Sequence, residues 1–311
     1  MRASDLAVRP AAPSDLPLLF EWENTEPVAW VDSSRLQREL KTRHYRPEWC
    51  WLAEFDGALV GRALWWGPDG AELPVSLDCL LVRDTGLAPE EVGAALIGAG
   101  LGAYEPSSLL EFNVDVATEW ADDPDAVAAV RWRASAARAG GFVRTTERVT
   151  FARAISDPRP ERSSRLEFIP ASDEEFRAMF ARVAEGSLDA HTLDMVAREG
   201  VEALADDDLE FYLSLPGERT AWRVATSGDQ RIGFIIPTRT AYDASISYLG
   251  VLPEHRGRGY VNDLLAEMVH IHHDAGESRI VGTTDTTNTP MRDAFERAGF
   301  AATRRRIVHA K

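Results

Sequence analysis

The sequence has 311 residues, of which 45% are hydrophobic, and a formal net charge of −16 at pH 7. Its length is about twice that of a typical domain, and its composition is globular rather than disordered or fibrous. The negative charge repels nucleic-acid backbones and anionic membranes and attracts amine-bearing small molecules. We therefore expect two globular domains, with neither nucleic acid nor membrane as a partner.

The chain has two cysteines, Cys50 and Cys79, which are too few for a disulfide framework or a four-cysteine metal site. Their apolar neighbours predict buried, reduced thiols. Residues 1–5 lack the apolar run of a secretory signal, and no segment approaches the roughly 18 apolar residues of a membrane span. These features favour a cytoplasmic protein without a metal.

The chain is expected to divide near its midpoint. Residues 156–164 combine two prolines with three serines, a composition typical of a linker. This segment separates a predicted first domain, residues 1–155, from a second, residues 165–311. The two halves also differ in composition, because eight of the nine tryptophans precede the segment and only Trp222 follows it.

Both halves show the same order of predicted elements: strand, helix, antiparallel strand pair, apolar strand, helix, strand, and a helix that ends in Gly-Phe. In the first half, the later elements are strands 51–55, 58–66, 75–82 and 108–116 and a helix ending at Phe142. Their counterparts are strands 221–226, 231–237, 245–252 and 279–284 and a helix ending at Phe300. Ser172 and Glu175 form a capping-box pattern before the first helix of the second half. This repeat predicts a duplicated α/β fold with an α+β mixed sheet.

The most informative segment is Val251–Val261, which reads Val-Leu-Pro-Glu-His-Arg-Gly-Arg-Gly-Tyr-Val between strand 245–252 and a predicted helix over 263–270. Glycines at a strand-to-helix turn let the backbone approach an anion, which the N–H groups and the helix dipole then bind. Arg258 adds a positive charge. The segment predicts a pyrophosphate site; the alternative is a glycine-rich turn beside surface arginines.

This segment resembles the acyl-CoA motif of the GNAT N-acetyltransferase superfamily, Gln/Arg-x-x-Gly-x-Gly/Ala, which appears here from Arg256 to Val261. A second family element, an asparagine followed by a helix that ends in Gly-Phe, matches Asn288 and Gly299-Phe300. The resemblance implies two tandem GNAT-like domains, each a mostly antiparallel central sheet flanked by helices. It places acetyl-CoA in a V-shaped gap between strands 245–252 and 279–284.

The resemblance also implies which residues bind acetyl-CoA. Main-chain groups near Leu249 and Val251 hold the pantetheine arm and polarise the thioester carbonyl. The amides of the Arg256–Val261 turn bind the pyrophosphate, and Asn288 contacts the pantetheine. The full set of implied cofactor residues is Leu249, Gly250, Val251, Arg256, Gly257, Arg258, Gly259, Tyr260, Val261, Asn288, Arg292 and Phe295.

Three positions depart from the family pattern. Val261 replaces the last glycine or alanine of the motif. Phe295 stands where many members have a tyrosine that protonates the leaving thiolate. Ser245 stands where many have a general-base glutamate, although Asp243 lies two residues earlier. Acyl transfer tolerates these losses, because positioning an amine against a polarised thioester supplies much of the rate. The family pattern therefore assigns neither acid nor base.

Candidates for catalysis outside the motif are Asp189, His191 and Tyr248. The first two lie where the family's first helices cover the acceptor and can bind or deprotonate an amine, but a helix cap explains Asp189 equally well. Tyr248 can donate a proton or pack as an aromatic residue. The histidines of the 270–273 run are interpreted as a solvated helix face, since matching zinc ligands are missing. The Arg304–Arg306 run is interpreted as a solvated strand edge; contact with the cofactor phosphate is the alternative.

The first half lacks the motif. Its corresponding turn, residues 82–93, has no Arg-x-Gly-x-Gly and carries three acidic residues that would repel pyrophosphate. We predict that this copy does not bind acetyl-CoA and that it is structural or shapes the acceptor site. An aromatic wall is one interpretation and core packing the other for Trp30, Trp65 and Trp66.

The leading hypothesis is a cytoplasmic tandem GNAT protein whose second domain acetylates the amine of a small molecule, such as an antibiotic or another natural product. The alternative is a non-catalytic acyl-CoA-binding regulatory module, which the missing glutamate and tyrosine motivate. A monomer fits the internal duplication, and no metal is expected.

Overall fold

The computed structural model describes residues 6–28, 31–104 and 110–311. Trp30 therefore lies outside the described residues. The chain forms two compact units: unit 1 comprises residues 1–147 and 304–311, and unit 2 comprises residues 148–303. Both units are mixtures of strands and helices, as the repeat predicts.

Unit 1 follows the predicted order of elements, with one helix that the sequence pattern did not reveal, α2. Its helices are α1 (Leu16–Phe20), α2 (Ser33–Lys41), α3 (Pro89–Tyr104) and α4 (Pro124–Ala139). Its strands are β1 (Leu6–Pro10), β2 (Cys50–Phe55), β3 (Ala58–Trp66), β4 (Ser76–Val82) and β5 (Glu111–Val116). Strand β6 (Arg144–Ala154) begins in unit 1 and ends in unit 2.

Unit 2 has the same order, with three helices after its first strand. Its strands are β7 (Glu167–Ile169), β8 (Arg223–Ser227), β9 (Gln230–Arg239), β10 (Ala244–Val251) and β11 (Arg279–Asp285). Its helices are α5 (Asp173–Ala184), α6 (Ala190–Glu199), α7 (Val201–Ser214), α8 (Tyr260–Asp274) and α9 (Thr289–Arg297). Strand β12 (Ala301–Ala310) begins in unit 2 and ends in unit 1.

The strands of the two units have equivalent orders and directions. In unit 1 the order is β1-β2-β3-β4-β5-β12, and in unit 2 it is β7-β8-β9-β10-β11-β6. Neighbours are antiparallel except for β4–β5 and β10–β11, which are parallel. Parallel neighbours need a crossover connection, which α3 and α8 supply. The predicted fold, two tandem domains with mostly antiparallel sheets flanked by helices, is confirmed.

The two halves of the chain exchange their last strands. Residues 148–154 of β6 pair with β11 of unit 2, and residues 305–310 of β12 pair with β5 of unit 1. The unit boundary therefore falls inside β6, between Glu147 and Arg148. This differs from the predicted domains, 1–155 and 165–311, because pairing across a sheet is a long-range interaction that local composition does not reveal.

The predicted linker, residues 156–164, contains no helix or strand but belongs to unit 2. It runs along α8, where Arg162 pairs with Glu267 at 2.6 Å and Nε2 of His270 donates to the Pro160 carbonyl at 2.9 Å. The segment is therefore fastened to a helix of unit 2 and does not separate the two units.

The sheet of unit 2 has an apolar cluster on each face. The cluster beside α8 and α9 includes Leu264, Ile280 and Phe295, and the cluster beside α5 and α7 includes Phe180 and Phe234. These residues are almost fully inaccessible to solvent. Because both faces are covered, ligands can reach the β10 and β11 backbones only where the two strands separate.

Unit 1 has a separate core that contains the predicted thiols and one candidate aromatic wall. Cys50 and Cys79 are buried and unpaired, as predicted, and burial raises the pKa of Cys50 to about 12. Trp65 is fully buried, with its ring against Gly100, where an added Cβ would lie 2.5 Å from Nε1. Trp66 stacks on His44, with 5.5 Å between ring centroids. Core packing is therefore the interpretation that holds for Trp65.

Strand β12 is tied to β5 by a largely buried ion pair. Arg306 donates hydrogen bonds of 2.7 and 2.8 Å to the Asp115 carboxylate, and Arg304 lies 3.6 Å from it. Burial alone raises the pKa of Asp115, but Arg306 and then Arg304 hold that pKa below its usual value. Arg305 pairs with Glu147 at 3.0 Å. The prediction of a solvated arginine edge is therefore wrong, because each arginine pairs with a carboxylate of unit 1.

We expect Arg306→Leu to lower the free energy of unfolding at pH 7 by about 2–4 kcal/mol, because the Asp115 carboxylate loses its bidentate partner. Arg305→Leu is the control and should cost less than about 1 kcal/mol, since its pair is more exposed. Urea denaturation followed by circular dichroism measures both. The loss of unfolding free energy caused by Arg306→Leu should become smaller as the pH falls below about 4, because a protonated Asp115 no longer forms the ion pair that stabilises the folded state. Equal losses in both variants would contradict the assignment.

Candidate functional site

Strands β10 and β11 are paired over only part of their length. Their parallel pairing joins residues 244–246 to residues 280–282 and then stops, although β10 continues to Val251 and β11 to Asp285. Beyond this point the two strands separate. We call the opening between them the wedge.

A bulge on β10 lies where the wedge begins. Ile246 and Tyr248 pair with the adjacent β9 residues Pro237 and Ile236, so Ser247 is an extra residue. A bulge interrupts the ladder and bends the strand that contains it. The Ser247 hydroxyl bonds Thr238 of β9 and therefore points away from the wedge.

The edge of β10 that faces the wedge presents backbone groups. On the other edge, the Leu252 N–H donates to Ile232 of β9 at 2.9 Å. Gly250 also faces β9, because a Cβ added to Gly233 would lie 2.2 Å from its carbonyl oxygen. Alternate residues of an antiparallel strand present their backbone groups to opposite edges. The N–H and C=O groups of Leu249 and Val251 therefore point toward the wedge, as the family resemblance requires.

Phe295 closes the narrow end of the wedge. It is buried, stacks on Phe151 with 5.0 Å between ring centroids, and meets Gly282, where an added Cβ would lie 2.4 Å from Cζ. Gly282 is the last β11 residue paired with β10. The ring thus supports the point at which the strands separate, and it carries no hydroxyl that could protonate a leaving group.

The wedge leads into the predicted glycine turn. Gly257 and Gly259 have φ angles of +76° and +74°, which side-chain-bearing residues rarely adopt. The N–H groups of Gly257, Arg258 and Gly259 bond none of the described residues. Tyr260 and Val261 are the first residues of α8, where N–H groups have no partner inside the helix. Five consecutive N–H groups are therefore available to an anion at the positive end of the α8 dipole.

The two arginines of the turn have different environments. The Arg256 guanidinium donates to the carbonyls of Val183, Glu185 and Gly186 at 2.7, 2.6 and 3.1 Å, and its Nε donates to Val251 at 3.1 Å. It therefore fastens the end of α5 to β10. The Arg258 side chain is exposed and contacts no hydrogen-bonding or ionic partner in the described part of the chain.

Two further arginines lie beside the turn, and the motif did not indicate them. Arg165 lies 4.3 Å from the Tyr260 ring centroid, donates to the Arg258 carbonyl at 3.1 Å and pairs with Asp263 at 2.6 Å. Arg297 donates to Asn262 at 3.2 Å. Arg165 directly follows the predicted linker and Arg297 is on α9, so only the fold brings them together. Their charges make the start of α8 more positive.

The two other predicted cofactor residues stabilise the loop after β11. Asn288 caps α9, because its Oδ1 accepts from the Met291 N–H at 3.3 Å, and its Nδ2 donates to none of the described residues. Arg292 is half-buried and donates to the Thr286 carbonyl at 3.0 Å. Asn288 thus keeps a free donor group, whereas the Arg292 guanidinium stabilises the loop through its hydrogen bond to Thr286.

The start of α6 contributes a carboxylate near the end of β11. Asp189 caps α6 through the Thr192 N–H at 2.9 Å and lies 3.4 Å from Arg148. Arg148 also pairs at 3.1 Å with Asp285, which is buried and accepts the Ala190 N–H at 2.8 Å. This network holds the start of α6 against the wide end of the wedge. The structure shows Asp189 as a helix cap, and its role toward an amine stays a prediction.

Tyr248 packs among aromatic rings on the same side of the sheet. Its ring centroid lies 5.2 Å from Tyr212, 5.4 Å from Phe180 and 4.9 Å from Phe234. Burial, Asp208 and Asp189 raise the pKa of Tyr248 well above its usual value. Tyr248 and Asp189 are therefore close in space, although 59 residues separate them in the sequence. Its hydroxyl stays protonated at neutral pH.

Asp208 is a carboxylate of this region that the sequence did not indicate. It is half-buried on α7, and burial, Asp189 and Asp207 raise its pKa to about 7. Asp208 is the last residue of an Asp-Asp-Asp run, which is usually solvated, so only its burial distinguishes it. His191 is exposed on the first turn of α6, and the structure gives it no bond to Asp189 or Tyr248.

The two acidic or hydroxyl candidates from the family comparison lie away from the wedge. Asp243 precedes β10 and pairs with Arg279 at 2.9 Å, at the end of the strand opposite the opening. Ser245 lies in the paired part of β10, and its carbonyl accepts from Nε2 of His272 at 3.0 Å. Both therefore lie at the paired end of β10, away from the opening.

The histidines of α8 are mostly buried. His270 and His272 are 8% and 4% exposed, and burial lowers the pKa of His272. The prediction of a solvated face is therefore wrong for both, because each lies under a segment whose carbonyl it binds. Among the described residues, no group of three or more His, Cys, Asp or Glu side chains is arranged to hold a metal ion.

Comparison with known proteins identifies the fold. The model of the acetyltransferase (GNAT) family matches residues 188–300, which contain the wedge and the turn. Residues 188–300 therefore form a GNAT-family domain. A search of curated proteins finds no significant match. Within the described residues, no helix is long and apolar enough to cross a membrane.

Solved GNAT structures resemble the whole chain. A GCN5-related N-acetyltransferase from Sphaerobacter thermophilus is 17% identical, with a TM-score of 0.56 over 98% of this chain and 94% of that chain. A tandem GNAT protein from the clavulanic acid biosynthesis pathway is 18% identical, with a TM-score of 0.51 over 98% and 97%. A glucosamine N-acetyltransferase region of a fungal multi-domain GH3 β-N-acetylglucosaminidase is 14% identical, with a TM-score of 0.55 over 98% and 38%. At these identities the likeness concerns the fold.

The other GNAT-like copy, unit 1, has the same strand separation but a different interior. Strands β4 and β5 pair only at residues 76–77 and 111–112, and Asp78 is the extra residue of a bulge against β3. Asp78 accepts from Nδ2 of Asn113 on β5 at 3.3 Å. A side-chain hydrogen bond therefore crosses the opening that is free in unit 2.

Arg133 occupies the equivalent edge of β4. This α4 residue is fully buried, and its Nε and Nη2 donate to the Leu80 carbonyl at 3.1 and 2.8 Å. It pairs with Glu26 at 2.6 Å. Leu80 lies three residues after the last paired position of β4, as Leu249 does on β10. The Arg133 guanidinium thus occupies the carbonyl on the open edge of β4 to which a bound ligand would otherwise donate.

The turn after β4 lacks the anion-binding features of the turn after β10. Helix α3 begins with Pro89, which has no N–H, and continues with Glu90 and Glu91. A cavity of about 590 Å³ beside this turn is lined by residues that include Trp22, Trp132, Glu21, Glu23, Glu26 and Asp84. Its carboxylates repel a pyrophosphate.

We expect Arg256→Met to lower the free energy of unfolding by about 2 kcal/mol, because the carbonyls at the end of α5 lose their donor. Arg258→Met is the matched control in the same turn and should change stability by less than about 0.5 kcal/mol, since its side chain has no partner in the described residues. Urea denaturation measures both. Similar values for the two variants would contradict the different environments of these arginines.

Proposed function

We propose that unit 2 transfers the acetyl group of acetyl-CoA to the amine of a small molecule, by direct attack of the amine on the thioester. The observation that carries this proposal is the open wedge between β10 and β11, which leads into a turn with five available N–H groups. In unit 1 the equivalent opening is filled by Arg133. The opening in unit 2 is therefore a specific feature and not a general result of the fold.

The two parts of this site suit the two parts of acetyl-CoA. The N–H groups of residues 257–261 suit the pyrophosphate, and the free Arg258 guanidinium adds a charge-assisted contact. The backbone groups of Leu249 suit the amides of the pantetheine arm, which would extend the sheet as an added strand does. Asn288 offers its Nδ2 group to the same arm. In this proposal Arg292 and Phe295 support the loop and the narrow end of the wedge.

The acceptor side favours a positively charged amine. Asp189 and Asp285 pair with one arginine, Arg148, and Asp208 interacts electrostatically with Asp189, so carboxylates outnumber guanidinium groups in this region. Such a field attracts an ammonium group and repels a carboxylate. One structural relative is named as a glucosamine N-acetyltransferase region, whose acceptor is a small amine. A small-molecule amine is therefore the proposed acceptor class.

A non-catalytic acyl-CoA-binding module is the second candidate. It is favoured by the absence of a hydroxyl on Phe295 and of a carboxylate at Ser245, the positions that carry acid and base in many GNAT proteins. Such a module would bind acetyl-CoA in the same wedge and turn but would not consume it. The two candidates therefore differ in turnover and not in binding.

Turnover of acetyl-CoA with spermidine, tyramine, glucosamine and lysine tests this proposal. We expect thiol release with at least one of these amines. Gly259→Val should reduce thiol release and weaken acetyl-CoA binding more than tenfold. A left-handed conformation costs a valine about 1–2 kcal/mol or more, so the turn changes conformation and its N–H groups no longer point at the pyrophosphate. Gly276→Val is the matched control: its φ is +75°, but it lies after the other end of α8.

Two results would count against the enzyme. Binding of acetyl-CoA by calorimetry without thiol release on any amine would favour the regulatory module. Equal binding by wild type, Gly259→Val and Gly276→Val would contradict the placement of the pyrophosphate at the start of α8.

We also expect one acetyl-CoA to bind per chain. Asp78, Arg133 and Pro89 together remove the opening and the N–H groups that a second cofactor would need in unit 1. Isothermal titration calorimetry gives this ratio directly. A ratio of two would overturn the proposal that unit 1 is a copy that has lost the cofactor.

A further inference from the structure

Asp208 differs from the other carboxylates on the acceptor side because it has no partner. No hydrogen bond or ion pair reaches its side chain from the described residues. In contrast, Asp189 caps α6 and pairs with Arg148, and Asp285 binds Arg148 and the Ala190 N–H. Asp189 and Asp285 therefore stabilise the start of α6, whereas Asp208 stabilises none of the described elements through a hydrogen bond or an ion pair.

The groups around Asp208 come from four elements. Tyr212 follows it by one turn on α7, Tyr248 comes from β10, and Asp189 lies before α6; both tyrosines interact electrostatically with both carboxylates. Asp207 is its neighbour on α7, and Arg148 of β6 acts on Tyr212. Burial comes first among the causes that raise the pKa of each tyrosine well above its usual value, so both hydroxyls remain donors. The cluster thus contains two hydroxyls and an unpaired carboxylate.

A half-buried carboxylate without a partner is unfavourable for folding, because burial disfavours its charged form and nothing compensates. Groups of this kind concentrate at functional sites, where the reaction uses the perturbed acidity. The ring centroid of Tyr212, one turn after Asp208 on α7, lies 5.2 Å from that of Tyr248, which is two residues after the last paired position of β10. The position of Asp208 is therefore on the acceptor side of the wedge.

We propose that Asp208 holds the ammonium group of an alkylamine acceptor and takes the proton that this nitrogen must lose before it attacks. This inference rests on the proposed function and specifies its substrate class. An alkylammonium has no free lone pair, so one proton must leave first. Asp208 accepts it, and its pKa of about 7 lets the carboxylate be charged when the amine arrives and release the proton to solvent afterwards.

The remaining steps balance without another reactant. The neutral amine nitrogen forms a bond to the acetyl carbon, and the bond between that carbon and sulfur breaks. The second N–H proton passes to solvent, and the CoA thiolate takes a proton from solvent. One alkylammonium and one acetyl-CoA therefore give one amide, one CoA thiol and one released proton. The backbone groups of Leu249 that face the wedge stabilise the charge on the carbonyl oxygen.

The test compares Asp208→Asn with Asp207→Asn, which removes an exposed carboxylate from the adjacent position of α7. We measure kcat/KM from pH 5 to pH 9 with the alkylamine of the four-amine panel that wild type acetylates fastest. The kcat/KM of the wild-type protein should rise with pH and level off above about pH 7. Asp208→Asn should lose about 100-fold or more in kcat/KM and should lose this rise, whereas Asp207→Asn should stay within about twofold of wild type.

Thermal unfolding provides a second readout that does not depend on activity. Because the pKa of Asp208 in the folded chain lies above that of an unfolded aspartate, wild type loses stability as the pH rises from about 4 to 7. Asp208→Asn lacks this loss, so at pH 8 it should melt at a higher temperature than wild type. A gain in stability with a loss of activity is the result expected of a functional group.

Each outcome decides the matter. If wild type acetylates an alkylamine and Asp208→Asn keeps both the rate and the pH-dependent rise, the role of Asp208 is overturned and the proposed function stands. If Asp208→Asn loses activity but melts at a lower temperature at pH 8, its role is structural and the proposal is overturned. If wild type acetylates none of the amines, the proposed function fails and this inference fails with it.

Discussion

In both units, a single extra residue on the strand before the crossover helix marks the place where the parallel strands stop pairing. Ser247 on β10 and Asp78 on β4 each interrupt the ladder, so the parallel partner cannot remain paired beyond that point. The backbone groups beyond the bulge must then find other partners, because unpaired buried amides and carbonyls are costly. Unit 1 supplies a partner from within, the Arg133 guanidinium. Unit 2 leaves the opening free, and the proposal of one cofactor site per chain rests on this difference.

The glycine turn before α8 and the segment between α5 and α6 are physically connected. Arg256 belongs to the turn, yet its guanidinium binds the carbonyls at the end of α5 and in the loop that leads to Asp189. The same loop is held against β11 by Asp285 and Arg148. An arginine of the glycine turn thus fastens the loop that leads to Asp189.

Local patterns predicted much of the fold and the conformation of the turn that is proposed to bind the cofactor. The strand-turn-helix segment around Gly257 and Gly259 and the Ser172 cap of α5 are short-range features, and the structure has them. The Glu175 half of the capping box does not form, because that carboxylate pairs with Arg231 at 2.6 Å. The acceptor side was not predictable in the same way. Asp208 ends a run of three aspartates, and only the packing of α7 against the sheet distinguishes it from its neighbours.

Long-range pairing also explains why the domain boundary was misplaced. The Pro- and Ser-rich segment at residues 156–164 has a linker composition, but its ion pairs to α8 are visible only in the fold. The two terminal strands look equivalent in sequence to the strands that precede them. Nothing in residues 144–154 or 301–310 indicates which half of the chain each will join. The histidines of α8 were misjudged for the same reason, since distant carbonyls cover them.

The exchange of last strands has a consequence for biosynthesis. The sheet of unit 1 needs residues 305–310, which leave the ribosome after nearly all of unit 2 has been made. Unit 1 must therefore wait with the edge of β5 open throughout translation of the second half, although its other strands are made first. An open edge is a place where strands of other chains can add. The order of synthesis thus makes the N-terminal copy the last to be completed, and its charged β5–β12 contacts, centred on Asp115, are formed only at the end.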